Sequence, residues 1–318
     1  MLRSVIALAL ALWTAPLLAA PPPAADPLSV EIQLDDIERF VALFERTGGA
    51  PTAEQLQREY LDPGSYGVEV FTPNRIVSAE RLAAAIAADP QAYRNAIDEC
   101  LPQVRLANRD LRSIYLGLRG TFPDASLPQV YVLFGAGNSG GTAASGAQVL
   151  GLEVLCRMAA SPEDLRRTLR HFFAHETVHA LQNDAGRAAG RDFLLQNILA
   201  EGAADFLARM VTGEEPDASR ADWAAPKEQE LVATLASDID VVASATEETR
   251  PQAEAAMYRW VRNYGAAPEG WPSELGYWMG MRIWEAYWSH ADDKQAALRR
   301  MLTIENPREI LALARSGT

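Results

Sequence analysis

His175-Glu176-Thr177-Val178-His179 is the stretch on which this 318-residue chain is best read, because the whole sequence holds only four histidines and two of them are here. The pentapeptide has the form H-E-x-x-H and lies within a helical pattern. An α-helix turns about 100° per residue, so positions i and i+4 share a face, roughly 6 Å apart. Both imidazoles can then point at a single Zn²⁺, with a bond of about 2.0–2.1 Å to each. Glu176 follows the first ligand and is turned aside from the metal, where it can take a proton from a metal-activated water as general base. The bland alternative is a chance pentapeptide with one solvent-facing and one buried histidine.

The surrounding residues favour a helix that carries the motif at its middle. Ser161-Pro162-Glu163-Asp164 has a capping serine, a proline at the first helical position and an acidic residue to close a capping box. The pattern runs free of Pro and Gly to Asn183, with Gly186 as a stop. A catalytic zinc site needs three protein ligands and one open position, so a second helix should supply the third. Asp192 can cap such a helix, running from Phe193 to about Met210 and stopping at Gly213. Within it, Glu201 and Asp205 fall beside Leu194 and Ile198, on the face expected to be buried, where carboxylates are costly unless paired or bound to metal. Gly202, Ala203 and Ala204 are small enough for two helix backbones to approach and let Glu201 reach the ion. Asp205, one turn on, can accept the free N–H of a ligating histidine and fix its tautomer. A close-packed helix pair with two surface acids is the competing interpretation.

H-E-x-x-H followed about twenty residues later by E-x-x-x-D resembles the gluzincin metallopeptidases, the thermolysin-like branch of the zincins, through His175, Glu176, His179, Glu201 and Asp205. Residues 200–206, Ala-Glu-Gly-Ala-Ala-Asp-Phe, look like bacterial families described only as zinc-dependent proteases. Leu275-Gly276-Tyr277-Trp278-Met279-Gly280 and Asn306-Pro307-Arg308-Glu309-Ile310-Leu311 are similar to their tail. The specific motif covers residues 171–206; the diffuse resemblance spans 35–316. It implies a zincin-like fold, α+β and predominantly α, with a small sheet beside the H-E-x-x-H helix. It also implies a strand within residues 129–155 that receives an extended substrate, and a downstream Tyr or His that donates to the oxyanion. Tyr258, Tyr264, Tyr277, Tyr287 and His290 are candidates for that donor, Tyr277 foremost. Tyr277 also belongs to a stripe with Met281, Trp284 and Trp288, a spacing that more often marks core.

Composition narrows the partners and the compartment. Hydrophobic residues make up 48% of the chain and the net charge is −13. An acidic chain without a basic cluster argues against nucleic acid and anionic membrane surfaces. Residues 1–20 have the layout of a secretory signal: Arg3, an apolar run from Val5 to Leu18 interrupted by Pro16, then Ala19 and Ala20. The run is too short and broken to span a bilayer, and no Cys follows it for a lipid anchor. Residues 21–30 read as a Pro/Ala-rich linker and 31–318 as one domain, with a helical part and small sheet over 31–160 and the metal-site helices over 161–318. The expected compartment is periplasmic or extracellular. Cys100 and Cys156 are the only cysteines. They can form one disulfide in an oxidising compartment, or remain two buried thiols.

Along the chain, helices are expected at residues 35–44, 52–60, 78–88 and 91–119, the last with a break at Pro102. Residues 129–134 are the clearest strand. Residues 135–146 read as a mobile Gly/Ala/Ser-rich loop or flap, 148–155 as a second strand and 214–227 as a surface loop. Helical segments are expected over 228–264, broken near Pro251, and from Pro272-Ser273 onward. Gly135-Ala136-Gly137-Asn138-Ser139-Gly140 matches G-x-G-x-x-G literally, but a dinucleotide fingerprint must open a helix, and here another strand is expected. His171 lies one turn before His175, too far along the face to share an ion with His179 and Glu201, and reads as a packing or pocket-lining residue; His290 reads as exposed. The expectation is an exported zinc metallopeptidase with one Zn²⁺ per chain on His175, His179 and Glu201, acting on a peptide or protein substrate. Its rivals are a non-enzymatic zinc-binding protein of the cell envelope and a zinc amidase acting on a cell-wall amide.

Overall fold

The computed structural model describes residues 20–182 and 192–315. Residues 1–19 of the expected signal segment, and the expected helix end at Asn183 and Gly186, lie outside them. The chain is mostly helical with one three-stranded sheet. The N-terminal part holds α1 (Asp35–Arg46), α2 (Ala53–Leu56) extended by a π turn (Gln57–Leu61), and α3 (Tyr66–Phe71) extended by another (Thr72–Ile76). After these come α4 (Ala79–Ala88), α5 (Pro90–Asn95), a third π turn (Ala96–Cys100), α6 (Leu101–Leu106) and α7 (Asn108–Thr121). Local chemistry starts the short ones: Thr52 forms a capping box with Gln55, and the side chains of Ser65, Ser78 and Asp89 each accept a first-turn N–H. α3 went unforeseen, because residues 66–71 are too few to show a period. Pro102 does not break its helix. It sits in the first turn of α6, where a missing N–H is tolerated. Residues 21–30 do not stand off as a linker: Ala25 donates to Leu127 O and Pro23 O accepts from Gln129 Nε2, so the segment lies against the body.

The sheet comprises β1 (Gln129–Leu133), β2 (Gly141–Ala144) and β3 (Ala147–Gly151), in the order β1-β3-β2. β1 and β3 run parallel with Val130 opposite Gln148; β2 returns antiparallel with Thr142 opposite Val149. Two expectations are corrected here. Residues 152–155 are not strand but the start of α8 (Leu152–Met158), and part of the supposed loop is strand β2. A short apolar run does not distinguish strand from helix. Burial of Glu153 decides this one, since its carboxylate accepts the N–H groups of Gly135 and Gly137. Tyr60 and Tyr93 donate to Phe134 O and Gly135 O, and Arg157 to Gly137 O. The root of the loop is thus anchored by side chains rather than free as a flap.

α9 (Pro162–Gln182) carries the H-E-x-x-H motif, and Ser161 Oγ accepts the Asp164 N–H at its start. It lies on the face of the sheet that Gln148 points to, and α3 covers the other, with Gly67 against Tyr131. α10 (Phe193–Thr212) follows; Asp192 occupies its N-cap position, but its carboxylate pairs with Arg308 instead of capping. Residues 214–227 are not simply loop, since α11 (Ala218–Ala224) lies among them. The remaining helices are α12 (Glu228–Ala243), α13 (Arg250–Tyr258), α14 (Leu275–His290), α15 (Lys294–Thr303) and α16 (Pro307–Arg315). Among the described residues no helix is long and apolar enough to cross a membrane.

α10 and α14 cross in direct backbone contact. A methyl group on Gly202 would fall 2.1 Å from the carbonyl carbon of Gly280, and one on Gly280 would fall 1.9 Å from Ile198 O. Gly202 was expected to bring α10 against the motif helix; it brings α10 against α14 instead. The Trp284 indole locks the contact by donating to Leu199 O. Cys100 and Cys156 form a disulfide, Cα atoms 5.9 Å apart, tying the third π turn to α8.

Gly202→Ala should destabilise the chain by about 3 kcal/mol or more in urea unfolding, since backbone has no room to yield. Gly120→Ala, in α7 with nothing within 4 Å, should stabilise it by roughly 0.5–1 kcal/mol. Thiol titration of denatured, unreduced protein should find no free thiol, and replacing both cysteines with serine should cost roughly 2–4 kcal/mol for a loop of 56 residues.

Candidate metal centre

α9 and α10 bring His175, His179 and Glu201 to one point. The Nε2 atoms of His175 and His179 are 3.0 Å apart, and Glu201 Oε2 lies 3.0 Å from the second and 3.3 Å from the first. The opposite ring nitrogens identify the protons. His175 Nδ1 is 2.8 Å from Asp205 Oδ1, and a carboxylate only accepts, so Nδ1 carries the hydrogen. His179 Nδ1 is 2.9 Å from Gln182 Oε1. The amide of Gln182 is oriented by its own nitrogen, which donates to Ala200 O and Met301 O, both at 3.1 Å. The second nitrogen of each ring faces the centre, and once deprotonated it offers a lone pair there. Three acceptors meet there, and only positive charge between them makes that arrangement favourable. A tetrahedral ion with bonds of about 2.0–2.1 Å holds its ligands about 3.3 Å apart, close to what is seen.

The electrostatics of the cluster agree. Burial disfavours a charged His175, but the carboxylates of Asp205 and Glu201 outweigh it and raise its pKa to about 10. His179 is raised in the same way, burial being overcome by Glu201. Burial pushes Glu201 and Asp205 up, yet the two histidines hold Glu201 well below its usual range, and His175 likewise lowers Asp205. His175, His179 and Glu201 together could hold a cation.

Glu176 lies beside this point and not in it. Burial raises its pKa, against the pull of His175, His179 and the guanidinium of Arg75. Its carboxylate packs on Gly141, the first residue of β2, where a methyl group would come within 2.5 Å of Oε1. Beneath the motif, Gln148 Nε2 donates to Thr177 Oγ1 at 2.6 Å and to Phe173 O at 3.2 Å, pinning α9 to the sheet.

Of the five downstream donor candidates, Tyr277 borders the cluster. Its ring lies parallel to that of His175, centroids 5.9 Å apart. Burial, and then the nearby carboxylates of Glu201 and Glu274, push its phenol far above the ordinary value, so it keeps its O–H. Its position is fixed at the start of α14, where Glu274 and Asn263 exchange hydrogen bonds through their side chains and backbones. Tyr258, Tyr264 and His290 are exposed, and the Tyr287 hydroxyl meets Arg300. His171 Nε2 is 3.7 Å from Asp205 Oδ1, and burial lowers its pKa to about 4, so it packs here as a neutral ring. His171, His175 and Asp205 could be grouped as a second cation site. However, His175 Nδ1 already donates its hydrogen to Asp205 and has no lone pair left to offer.

Three site residues were not foreseen. Gln182 had a legible signal, an amide three residues after His179 on the same helix face. Gly141 and Gln148 had none, since the sheet brings them in from distant sequence. Comparison with known protein families, curated proteins and solved structures finds no match to this chain, and the chemistry of the site is argued from its own geometry.

Proposed function

We propose that the chain is an exported zinc metallopeptidase, in which His175, His179 and Glu201 hold one zinc ion. The observation that carries this is the meeting of three lone pairs, with each histidine tautomer set from behind by Asp205 or Gln182. A motif helix, a carboxylate-bearing partner helix and a small sheet whose edge strand starts against the general base support a zincin-like fold. The bound zinc would supply Lewis acidity toward the attacking water and the peptide carbonyl. Glu176, its pKa raised by burial, takes a proton from that water and returns it to the leaving nitrogen. Tyr277 donates its retained O–H to the carbonyl oxygen as negative charge builds there. β2 pairs with β3 on one side only among the described residues, and its other edge can take an extended peptide by main-chain hydrogen bonds. The side chains of Glu201 and His179 are 24% and 21% exposed, so the proposed centre is not sealed in the core, which favours an enzyme over a closed binding site. Residues 1–20 would direct export to the periplasm or beyond.

Elemental analysis of the mature chain should find one zinc per molecule; no transition metal after reconstitution with zinc would overturn the proposal. Glu176→Gln should retain that zinc and lose peptide hydrolysis by at least about 100-fold. Asp205→Asn should weaken zinc binding, measured by chelator competition, or turnover about 10–100-fold with the fold intact. Glu201→Ala, which removes a ligand, should do worse. An Asp205→Asn chain with unchanged affinity and turnover would remove Asp205 from the machinery.

A further inference from the structure

Glu274 stands directly before α14, and it departs from an ordinary helix start in two ways. Its backbone is left-handed, with φ +56° and ψ +38°, and its side chain caps nothing in its own helix. A residue in this place is usually Ser, Thr, Asp or Asn in extended backbone, with its side chain on a first-turn N–H. The buried Glu274 carboxylate turns away instead. It accepts the N–H groups of Arg262 at 3.0 Å and Asn263 at 2.8 Å. Arg262 is left-handed too, with φ +62°. Two non-glycine residues in this region, joined by a hydrogen bond, are strained backbone that the surroundings must hold, and such strain gathers at functional sites.

Asn263 completes the clasp. It is buried, and its Oδ1 accepts the Glu274 N–H at 2.7 Å. Its Nδ2 donates to Tyr258 O at 2.7 Å and to Arg259 O at 3.2 Å, where α13 ends. The end of α13 is thereby tied to the start of α14, and residues 264–273 leave and return at one point. Gly276 closes the approach: its N–H donates to Trp260 O at 2.8 Å, and a methyl group on it would fall 2.8 Å from the same oxygen. Arg220 of α11 braces the turn from outside. Its Nε donates to Ser273 O at 3.0 Å, and its guanidinium carbon lies 5.5 Å from the centre of the Tyr277 ring.

These holds converge on one side chain. The Tyr277 N–H donates to Glu274 O at 3.1 Å, so the dihedrals of Glu274 set the direction in which α14 begins. An ordinary cap would start the helix without strain, but its side chain would lie on the first-turn N–H groups and leave the Arg262 and Asn263 amides unheld. We propose that Glu274 is a positioning residue: its clasp on Arg262 and Asn263 keeps the first turn of α14 in the orientation that lays the Tyr277 ring along His175. This rests on the metallopeptidase reading above, in which Tyr277 donates to the carbonyl oxygen, and adds the residue that holds the donor in place. Glu274 acts through Tyr277 and not on the metal or the substrate.

The test is a double-mutant cycle on a fluorogenic peptide with zinc-loaded mature chain, read well below the thermal midpoint of each variant. Tyr277→Phe should lower kcat about 100-fold with KM nearly unchanged, as for loss of one donor to the oxyanion. Glu274→Gly, which relaxes the strain and removes the carboxylate, should lower kcat about tenfold without raising KM, because a small misplacement of a catalytic group is costly. In the Tyr277→Phe background, Glu274→Gly should change kcat by less than about twofold, since the group it positions is already gone. A residue that only supports the fold would cost the same factor in both backgrounds, and that result overturns the proposal. A Tyr277→Phe chain with full kcat also overturns it and leaves the peptidase reading standing. If Glu274→Gly does not fold, Glu274→Gln, which keeps the length and loses one acceptor, takes its place in the cycle. If no peptide is cleaved, the peptidase reading fails, and the position of the ring decides the role of Glu274. The chain has four histidines, so their ring C–H signals in a proton–carbon NMR spectrum are few. Tyr277→Leu identifies the His175 signal displaced by the stacked ring. Glu274→Gln should move that signal in the same direction and leave that of exposed His290 in place. A His175 signal that stays where it is in the wild-type chain refutes the clasp.

Discussion

Two imidazole nitrogens and a carboxylate oxygen, all electron-pair donors, face one another at 3.0–3.3 Å, and this is the constraint around which the rest of the structure is arranged. Left to themselves, three such groups would turn apart or take up a proton. Here they cannot turn. Asp205 holds one ring from behind, and Gln182, itself fixed by two backbone carbonyls, holds the other. Converging lone pairs with their reverse sides locked are arranged for a cation, and the raised histidine pKa values express the same preference.

The cost of that arrangement is carried elsewhere in the fold. Glu201 and Asp205 reside on a helix whose middle is Gly-Ala-Ala, and the glycine is required by α14, not by the motif helix. Backbone contact between Gly202 and Gly280 sets α14 directly against α10. That closeness places Tyr277 flat over the ring of His175. One crossing therefore sets both the packing and the ring that borders the cluster, and the aromatic stripe on α14 divides accordingly: Met281 and Trp284 are core, whereas Tyr277 lies beside His175.

The sheet contributes position more than stability. Its three short strands would not hold alone, but Gln148 ties β3 to Thr177 within the motif, and Glu153 ties the following helix to the loop leading into β2. The disulfide joins α8 to the N-terminal helices. Glu176 thus meets a strand edge anchored from two directions.

What the sequence by itself determined is whatever depends on helical spacing. His175 and His179 share a face because they are four residues apart, as do Glu201 and Asp205, and burial of carboxylates implied a compensating partner. The predominance of helix, the existence of β1, and the exposure of His290 were legible for the same local reasons. Only the tertiary structure decided which helix the small residues of α10 would meet, whether 152–155 is strand or helix, and which of five downstream residues reaches the cluster. It alone revealed Gly141 and Gln148 at the site, and it chose the disulfide over two separate thiols. The physical reason is that each of these depends on contacts between residues far apart in the chain. A glycine, a short apolar run or a glutamine has the same local signature wherever it occurs, and its role is set by what the fold brings against it.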